Sequence, residues 1–312
     1  MKVLFSCGGT GGHIYPALAI AEKFPDCFFI GSSRLEKTLV PQAGHRFYEI
    51  PASCRIDWKI PAGFWQSLRI ISKENPDIIL ATGGYATAPV LLAAKLLGKK
   101  IYLQEQNVLP GRVNRCLSHL AARVFVAFAG AAKYFPRGKS VATGNPVRAD
   151  ISAAQYSVSA PHILAFGGSL AAQSINRAVL GLSGYPAGLI HLDGTNYSHN
   201  MAEIYARSRL CICRAGATTL AELAALGMPA ILAPYPYAAN DHQTVNARYF
   251  AERGAAVIIP DKDLTPDTLQ KTLQKIDNPV VLAQMSAQMK ALGSADAAER
   301  IYNYIRAAET VC

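Results

Sequence analysis

Positions 8–13 of the chain read GGTGGH, set between a short apolar run and a helical stretch. Glycines at such a junction let the backbone turn tightly and let a ligand come close. The helix start behind them offers unpaired N–H groups and a partial positive charge, which suits a phosphate. His13 follows the loop directly. A neutral imidazole at this place could take a proton from an attacking hydroxyl, and the helix N-terminus would help keep it neutral. A purely structural histidine is the alternative. As a dinucleotide fingerprint the GGxGG spacing is poor, and the next strand end, FFIGSSR, offers no acid for a ribose. That argues against a nicotinamide cofactor.

The second half carries a denser set. GGS at 167–169 opens a helix, again with anion-binding geometry. RAGATTLAE places Ala217, Thr218 and Thr219 at another helix start, with Glu222 one turn on. A carboxylate there could accept two ribose hydroxyls. Its alternative is interaction with the helix dipole alone, worth less than about 1 kcal/mol. After the next strand, PYPYAANDHQTVNA starts a helix at Asp241, His242 and Gln243, and Gln243 could bond a sugar or the ribose. No DxD-like metal motif is evident, and no cofactor is expected.

These residues need elements to hold them, and the order is strand, glycine turn, helix, repeated. Strands are expected at Val3–Ser6, Ile78–Ala81 and Ile163–Phe166, and a helix from about Tyr15 to Phe24. Short β-rich runs alternating with helices imply parallel sheets covered on both faces. In such sheets a ligand binds beyond the carboxyl ends of the strands. The pattern runs once through Gly8–Gly12 and Gly83–Gly84, and begins again near His162. The stretch NPVRADISAAQYSVSAPH between them is polar, holds two prolines and reads as a linker. Two such domains would face their loops across one cleft. Ala298, Ile301, Tyr302 and Ile305 share a stripe of a C-terminal helix, read most simply as closing the second domain.

With 312 residues, 51% of them apolar and 17% charged, the chain can bury two cores, and nothing suggests disorder. Its net charge of +10 favours anionic partners such as phosphorylated ligands or an anionic membrane surface. Nucleic acid is not expected, because no dense Lys/Arg run or nucleic-acid motif occurs. Cys7, Cys27, Cys54, Cys116, Cys211, Cys213 and Cys312 form no CxxC and are odd in number, so reduced thiols of a cytoplasmic protein are expected. No signal peptide and no spanning segment is read, which predicts a soluble protein or one held at the membrane surface. Phe64, Trp65, Leu68 and Ile71 fall together at helical spacing, with Lys59, Arg69 and Lys73 nearby. That is the pattern of an interfacial helix, and equally of a helix packed on the first sheet.

Taken in order, GGTGGHIYPALAIAE, ATGGYATAPV, EQNVLPGRVNRCLS, TGNPVR, FGGS, CRAGATTLAELAALGMPAILAPYP and NDHQTVNA resemble the MurG family from Met1 to about Ile259. These are the UDP-N-acetylglucosamine:lipid I N-acetylglucosaminyltransferases of peptidoglycan synthesis. The resemblance implies the α/β GT-B fold, with Rossmann-like domains at 1–148 and 149–296 and the helix 297–312 packing back on the first. It implies an inverting transfer to the 4-hydroxyl of the lipid I muramyl sugar, at the cytoplasmic face of the plasma membrane. His13 would be the base or sit close to the transferred sugar. Thr10, Gly11 and Gly12 would line the donor sugar, Asn107 would hold the donor sugar or the acceptor, and Arg148 and Ser169 would contact the diphosphate. Ala217, Thr218 and Thr219 would cradle that diphosphate, Glu222 would hold the uridine ribose and Gln243 the N-acetylglucosamine. Gly83, Gly84 and Tyr85 would lie on the acceptor side. The chain departs from the family at Leu170-Ala171-Ala172, where Gln-Gly-Ala is usual. It also departs at SCRIDW, where only Arg55 matches the usual GLRGKG, and in a short stretch between Leu192 and Met201. Two other readings remain at this stage: a GT-B transferase with another glycolipid or polyprenol acceptor, and a nonenzymatic nucleotide-sugar binder.

Overall fold

A computed structural model describes residues 1–55, 57–167, 172–182, 188–194 and 200–310. Contacts divide the chain into two compact units, one of residues 1–148 with 296–312 and one of residues 149–295.

The first unit runs β1 (Val3–Cys7), α1 (Gly11–Ala21), β2 (Cys27–Gly31), α2 (Glu36–Gln42), β3 (Arg46–Glu49) and α3 (Lys59–Glu74). It continues through β4 (Ile78–Gly83), α4 (Thr87–Leu96), β5 (Lys100–Glu105), α5 (Arg112–Leu117), β6 (Arg123–Val126) and β7 (Ser140–Ala142). The seven strands form one sheet in the order β3-β2-β1-β4-β5-β6-β7. Every pairing in it is parallel. Because side chains alternate along a strand, each strand feeds two cores. Leu4, Phe28, Ile79, Leu103 and Val124 pack on one face, and Phe5, Phe29, Leu80, Tyr102 and Phe125 on the other.

The second unit holds α6 (Ala149–Ser152), β8 (His162–Phe166), α7 (Gln173–Leu180), β9 (Leu189–Leu192), α8 (Met201–Ala206), β10 (Ser208–Cys213) and α9 (Ala217–Leu226). Then come β11 (Ala230–Leu232), α10 (His242–Ala251), β12 (Ala256–Ile258), α11 (Pro266–Ile276) and α12 (Pro279–Ala291). Its five strands are ordered β12-β11-β10-β8-β9, again all parallel.

Three local readings change. The first helix begins at Gly11, four residues before the expected Tyr15, because the second pair of glycines already lies in its first turn. The stretch read as a linker contains the short helix α6, whose Ile151 is fully buried. The last helix, α13 (Ala297–Thr310), packs on the first unit and not the second. There Ile301 and Ile305 join the core of Phe5 and Phe125, Tyr302 meets Phe24 edge-on, and the Tyr102 hydroxyl donates to Glu309 at 2.6 Å. Of the six described cysteines none is bridged; Cys7, Cys27, Cys211 and Cys213 are buried, and Cys54 and Cys116 are exposed. No described helix is long and apolar enough to cross a membrane.

Candidate active site

In each sheet the strand order reverses once, and the loops at that reversal carry the ligand in doubly wound folds. In the first unit the reversal lies between β1 and β4. The GGTGGH loop and the Gly83–Tyr85 loop therefore meet. Gly84 has φ +95°, and a Cβ there would sit 2.2 Å from the Gly8 carbonyl oxygen. Gly83, at φ +102°, lies under the His13 ring, where a Cβ would come within 3.1 Å of Cε1. Both positions require glycine for conformation and for space.

His13 sits in the first turn of α1 and is half-buried. Its Nδ1 lies 2.9 Å from the Thr82 carbonyl oxygen and 3.0 Å from Gln106 Oε1. The Thr82 hydroxyl returns a bond to the His13 carbonyl at 2.8 Å. A carbonyl oxygen can only accept, so Nδ1 carries a proton, and in the neutral ring Nε2 keeps the lone pair. This is the tautomer a base acting through Nε2 requires.

Glu36 shapes the rest of the loop. The carboxylate is fully buried and accepts from Gly9 N at 3.2 Å, Ser32 N at 2.9 Å and Ser32 Oγ at 2.5 Å. Ser32 Oγ also lies 3.2 Å from the Tyr85 hydroxyl, which joins the two loops through one carboxylate. Glu105, at the end of β5, does the same for the EQN loop. One of its oxygens accepts from Asn107 N and Nδ2, at 2.9 and 3.1 Å. The other accepts from Gly111 N and Asn114 Nδ2, at 3.1 and 2.9 Å. Thr10 is exposed at the N-cap of α1, followed by buried Gly11 and half-buried Gly12. Arg148 stacks on the Tyr15 ring at 5.5 Å. Beside Tyr85 a cavity of about 180 Å³ is lined by Ser53, Cys54, Arg55, Ile60 and Pro89 among others.

In the second unit the reversal falls between β8 and β10. The loop after β8 contains Ser169, which lies outside the described residues. The loop after β10 leads into α9, whose first turn is Ala217, Thr218 and Thr219 behind the extended N-cap Gly216. Glu222, only 9% exposed, accepts from the Tyr205 hydroxyl at 2.9 Å. Burial first, and then the Glu222 charge, push the Tyr205 phenol well above its ordinary range, so it stays a donor. Gln243 opens α10, and its Oε1 accepts from Tyr235 N at 2.9 Å. Just before it, Asn240 and Asp241 both stand at φ 54°, a left-handed pair of the residue types that tolerate it best.

Arg214 knits these loops together. It donates to Asp261 at 2.5 Å, to the Ala233 carbonyl at 3.0 Å and to Ser174 at 2.9 Å, and lies over the Tyr235 ring at 5.5 Å. Burial raises the Asp261 carboxyl, but hydrogen bonds from Ser174 and Arg214 outweigh it and hold the group below its ordinary value.

The structure thus gathers His13, Gly83, Gly84 and Tyr85 at one strand-end cluster, and Ala217–Thr219, Glu222 and Gln243 at another. Sequence reasoning missed Glu36, Gln106, Glu105, Tyr205 and Arg214. Glu105, Gln106 and Arg214 stand inside the EQN and RAGATTLAE motifs, which is the signal that could have found them, whereas Glu36 and Tyr205 lie outside every motif.

The chain matches the glycosyltransferase family 28 N-terminal domain over residues 3–126 and the family 28 C-terminal domain over residues 183–301. A relative from Desulforudis audaxviator (strain MP104C) is 38% identical over 364 aligned positions, covering 98% of each chain. Its name is UDP-N-acetylglucosamine--N-acetylmuramyl-(pentapeptide) pyrophosphoryl-undecaprenol N-acetylglucosamine transferase. A relative of the same name from Bacillus cytotoxicus is 36% identical over 359 positions, covering 98% of this chain and 99% of its own. These aligned spans exceed the 312 residues here, so parts of the relatives have no counterpart in this chain. The crystal structure of Acinetobacter baumannii MurG superposes with a TM-score of 0.81 at 27% identity, covering 98% of this chain and 99% of that one. A Staphylococcus aureus MnaA–UDP structure superposes at 0.72 with 16% identity, over 100% of this chain and 98% of that one, a likeness of fold alone. With its two Rossmann-like parallel sheets of the GT-B class, the chain belongs to glycosyltransferase family 28, among the N-acetylglucosaminyltransferases of the MurG family.

Proposed function

We propose that this chain transfers N-acetylglucosamine from UDP-N-acetylglucosamine to the 4-hydroxyl of the muramyl sugar of lipid I, giving lipid II and UDP. The observation that carries the reading is a near-full-length match at 38% identity to a transferase named for this reaction. The tautomer of His13 supports the chemistry. In this reading the first unit takes the acceptor and the second the UDP-sugar. His13 Nε2 accepts the proton of the acceptor hydroxyl as its oxygen bonds to the anomeric carbon. The bond from that carbon to the diphosphate breaks on the opposite face, the electron pair leaves with UDP, and the α donor becomes a β linkage. The N–H groups at the start of α9, with Arg148 and Ser169, stabilise the charge gathering on the diphosphate. Glu222, steadied by Tyr205, takes the ribose, and Gln243 takes the sugar. Thr10, Gly11, Gly12 and Asn107 border the reacting sugar, and Gly83, Gly84 and Tyr85 the acceptor.

Steady-state release of UDP with and without lipid I tests this directly. Release that depends on lipid I is expected. Binding of UDP-N-acetylglucosamine with no such release would leave a nucleotide-sugar binder. Turnover with another polyprenol-linked sugar alone would replace the acceptor. Donor recognition has its own test. UDP-N-acetylglucosamine at 100-fold over its Kd should stabilise the protein by about 2.7 kcal/mol. The adenosine analogue should give far less. Glu222→Ala should weaken donor binding by about 1–3 kcal/mol, the range for stranding a buried polar partner. Equal stabilisation by every nucleotide would remove the uridine assignment.

The membrane-facing surface follows from α3. Its apolar residues divide. Ile71 is buried, while Phe64 and Leu68 lean on the core, so the core claims that side of the stripe. Trp58 and Trp65 are 70% and 63% exposed, and Lys59, Arg69 and Lys73 are exposed near them. Indole rings edged by cations suit the headgroup layer of an anionic bilayer. In co-sedimentation with phosphatidylglycerol vesicles, the Trp58→Ser, Trp65→Ser pair should bind about 10-fold more weakly, which corresponds to about 0.7 kcal/mol for each ring lying partly in the headgroup layer. Donor affinity should not change. Vesicle binding equal to wild type would move the docking face elsewhere.

A further inference from the structure

His13 does not stand alone under its loop. Three side-chain amides run away from it in a line. Gln106 is 1% exposed and presents Oε1 to His13 Nδ1 at 3.0 Å. Its Nε2 donates to the Thr82 carbonyl at 2.7 Å, to the Gln104 carbonyl at 3.3 Å and to Gln104 Oε1. Gln104, fully buried, in turn donates from Nε2 to Asn145 Oδ1 at 3.0 Å. Asn145 is itself only 5% exposed.

The direction of this line follows from the backbone. Main-chain carbonyls accept and cannot be reversed, so the Gln106 atom facing Thr82 and Gln104 must be the nitrogen. Its oxygen therefore faces the imidazole. Each amide oxygen then accepts from the group before it, from the His13 N–H down to Asn145, and such aligned chains polarise one another.

We propose that the Gln106–Gln104–Asn145 amide line is the positioning device for His13, holding the ring with Nε2 as proton acceptor and stabilising the imidazolium as it forms. The proposal rests on the reading of His13 as the base. A neutral amide acts here where a carboxylate orients the histidine of a Ser-His-Asp triad. It favours the protonated ring through an oriented dipole, without a buried charge. The titratable groups on the surrounding elements are engaged with other partners. Glu105 holds the EQN loop, Glu36 holds Gly9 and Ser32, Tyr85 meets Ser32, and Arg148 lies over Tyr15. The line also joins the EQN and TGNPVR motifs to the glycine loop through their side chains.

The test is kinetic and spectroscopic, on the intact protein with UDP-N-acetylglucosamine and lipid I. Gln106→Leu removes one of two acceptors at Nδ1. It should lower kcat by about 100-fold, the loss expected for a misaimed catalytic group. The donor Kd should stay within about two-fold, because Gln106 is assigned no donor contact and its neighbour Asn107 keeps both bonds to Glu105. The acid limb of the kcat/KM profile should move to lower pH, because the imidazolium loses a hydrogen-bond acceptor. Gln104→Met, one link further from the ring, should give the same changes in smaller measure. Nitrogen-15 spectra of histidine-labelled wild type, with His13 assigned by the loss of its signals in His13→Asn, should show Nδ1 protonated and Nε2 bare. A folded Gln106→Leu with wild-type kcat and acid limb would overturn the proposal and leave the base assignment standing. Wild-type turnover in His13→Ala would overturn the base assignment itself. If Gln106→Leu does not fold, Gln104→Met and the wild-type spectrum decide. An Nε2-protonated ring, or an unmoved profile in Gln104→Met, would overturn the proposal.

Discussion

His13→Ala should lower turnover by about 100- to 10,000-fold, the usual loss on removing a general base. The donor Kd should change only a few-fold, because the nucleotide is assigned to other residues, all of them but Arg148 in the second unit. The fold should survive. The His13 main chain keeps its bond to Thr10 O at 3.1 Å, and the Thr82 carbonyl keeps the Gln106 amide as a donor. The helix α1 takes no side-chain cap from this position. UDP release in the presence of lipid I, beside a thermal melt, reads both quantities. Wild-type turnover in a folded variant would remove the base role. A melt that collapses would make the residue structural.

The second large effect is on stability. Glu105→Ala takes the acceptor from four N–H groups at once, two of the main chain and two of Asn107 and Asn114. Each stranded donor costs about 1–3 kcal/mol, and entering water recovers part of that. A net loss of about 3 kcal/mol is expected. For a unit of this size it corresponds to a Tm lower by roughly 6–12 °C. Glu105→Gln should fall between, because an amide has one oxygen to share and turns its N–H groups toward donors. A Glu105→Ala melt within about 1 °C of wild type would show that water replaces the carboxylate without loss.

Much of this architecture is legible in one sequence. The strands at Val3, Ile78 and Ile163 announce themselves because both of their faces are buried and their side chains run apolar without alternation. The motif residues announce themselves because glycines beside strand ends are rarely decorative. The supporting residues do not. Thr82 and Gln106 reach His13 from 69 and 93 positions away, and no local pattern pairs them. FFIGSSR offers no acid for a ribose, and Glu36, just beyond it, accepts from the main chain of the glycine loop. In α3, periodicity finds the apolar stripe but not which edge of it is covered. The packing neighbours, α4 foremost, decide that Ile71 is core and Trp65 is not. Sequence proximity alone points the stripe of the last helix to the second domain, while the resemblance points it to the first, and Ile301 and Ile305 pack in the first unit's core.

That return of α13 has a consequence for how the molecule is made. The first unit is discontinuous, and its core lacks Ile301 and Ile305 until residues 149–295 have been made. During synthesis Phe24, Tyr102 and Phe125 wait for their partners on α13, although Ile14, Ala17 and Ile20 of α1 already share their core, while the second unit, continuous in sequence, is free to form first. Until α13 is made, the edge of the first core that Ile301 and Ile305 cover is left open to other apolar surfaces, and the docking of this helix is the step that closes it.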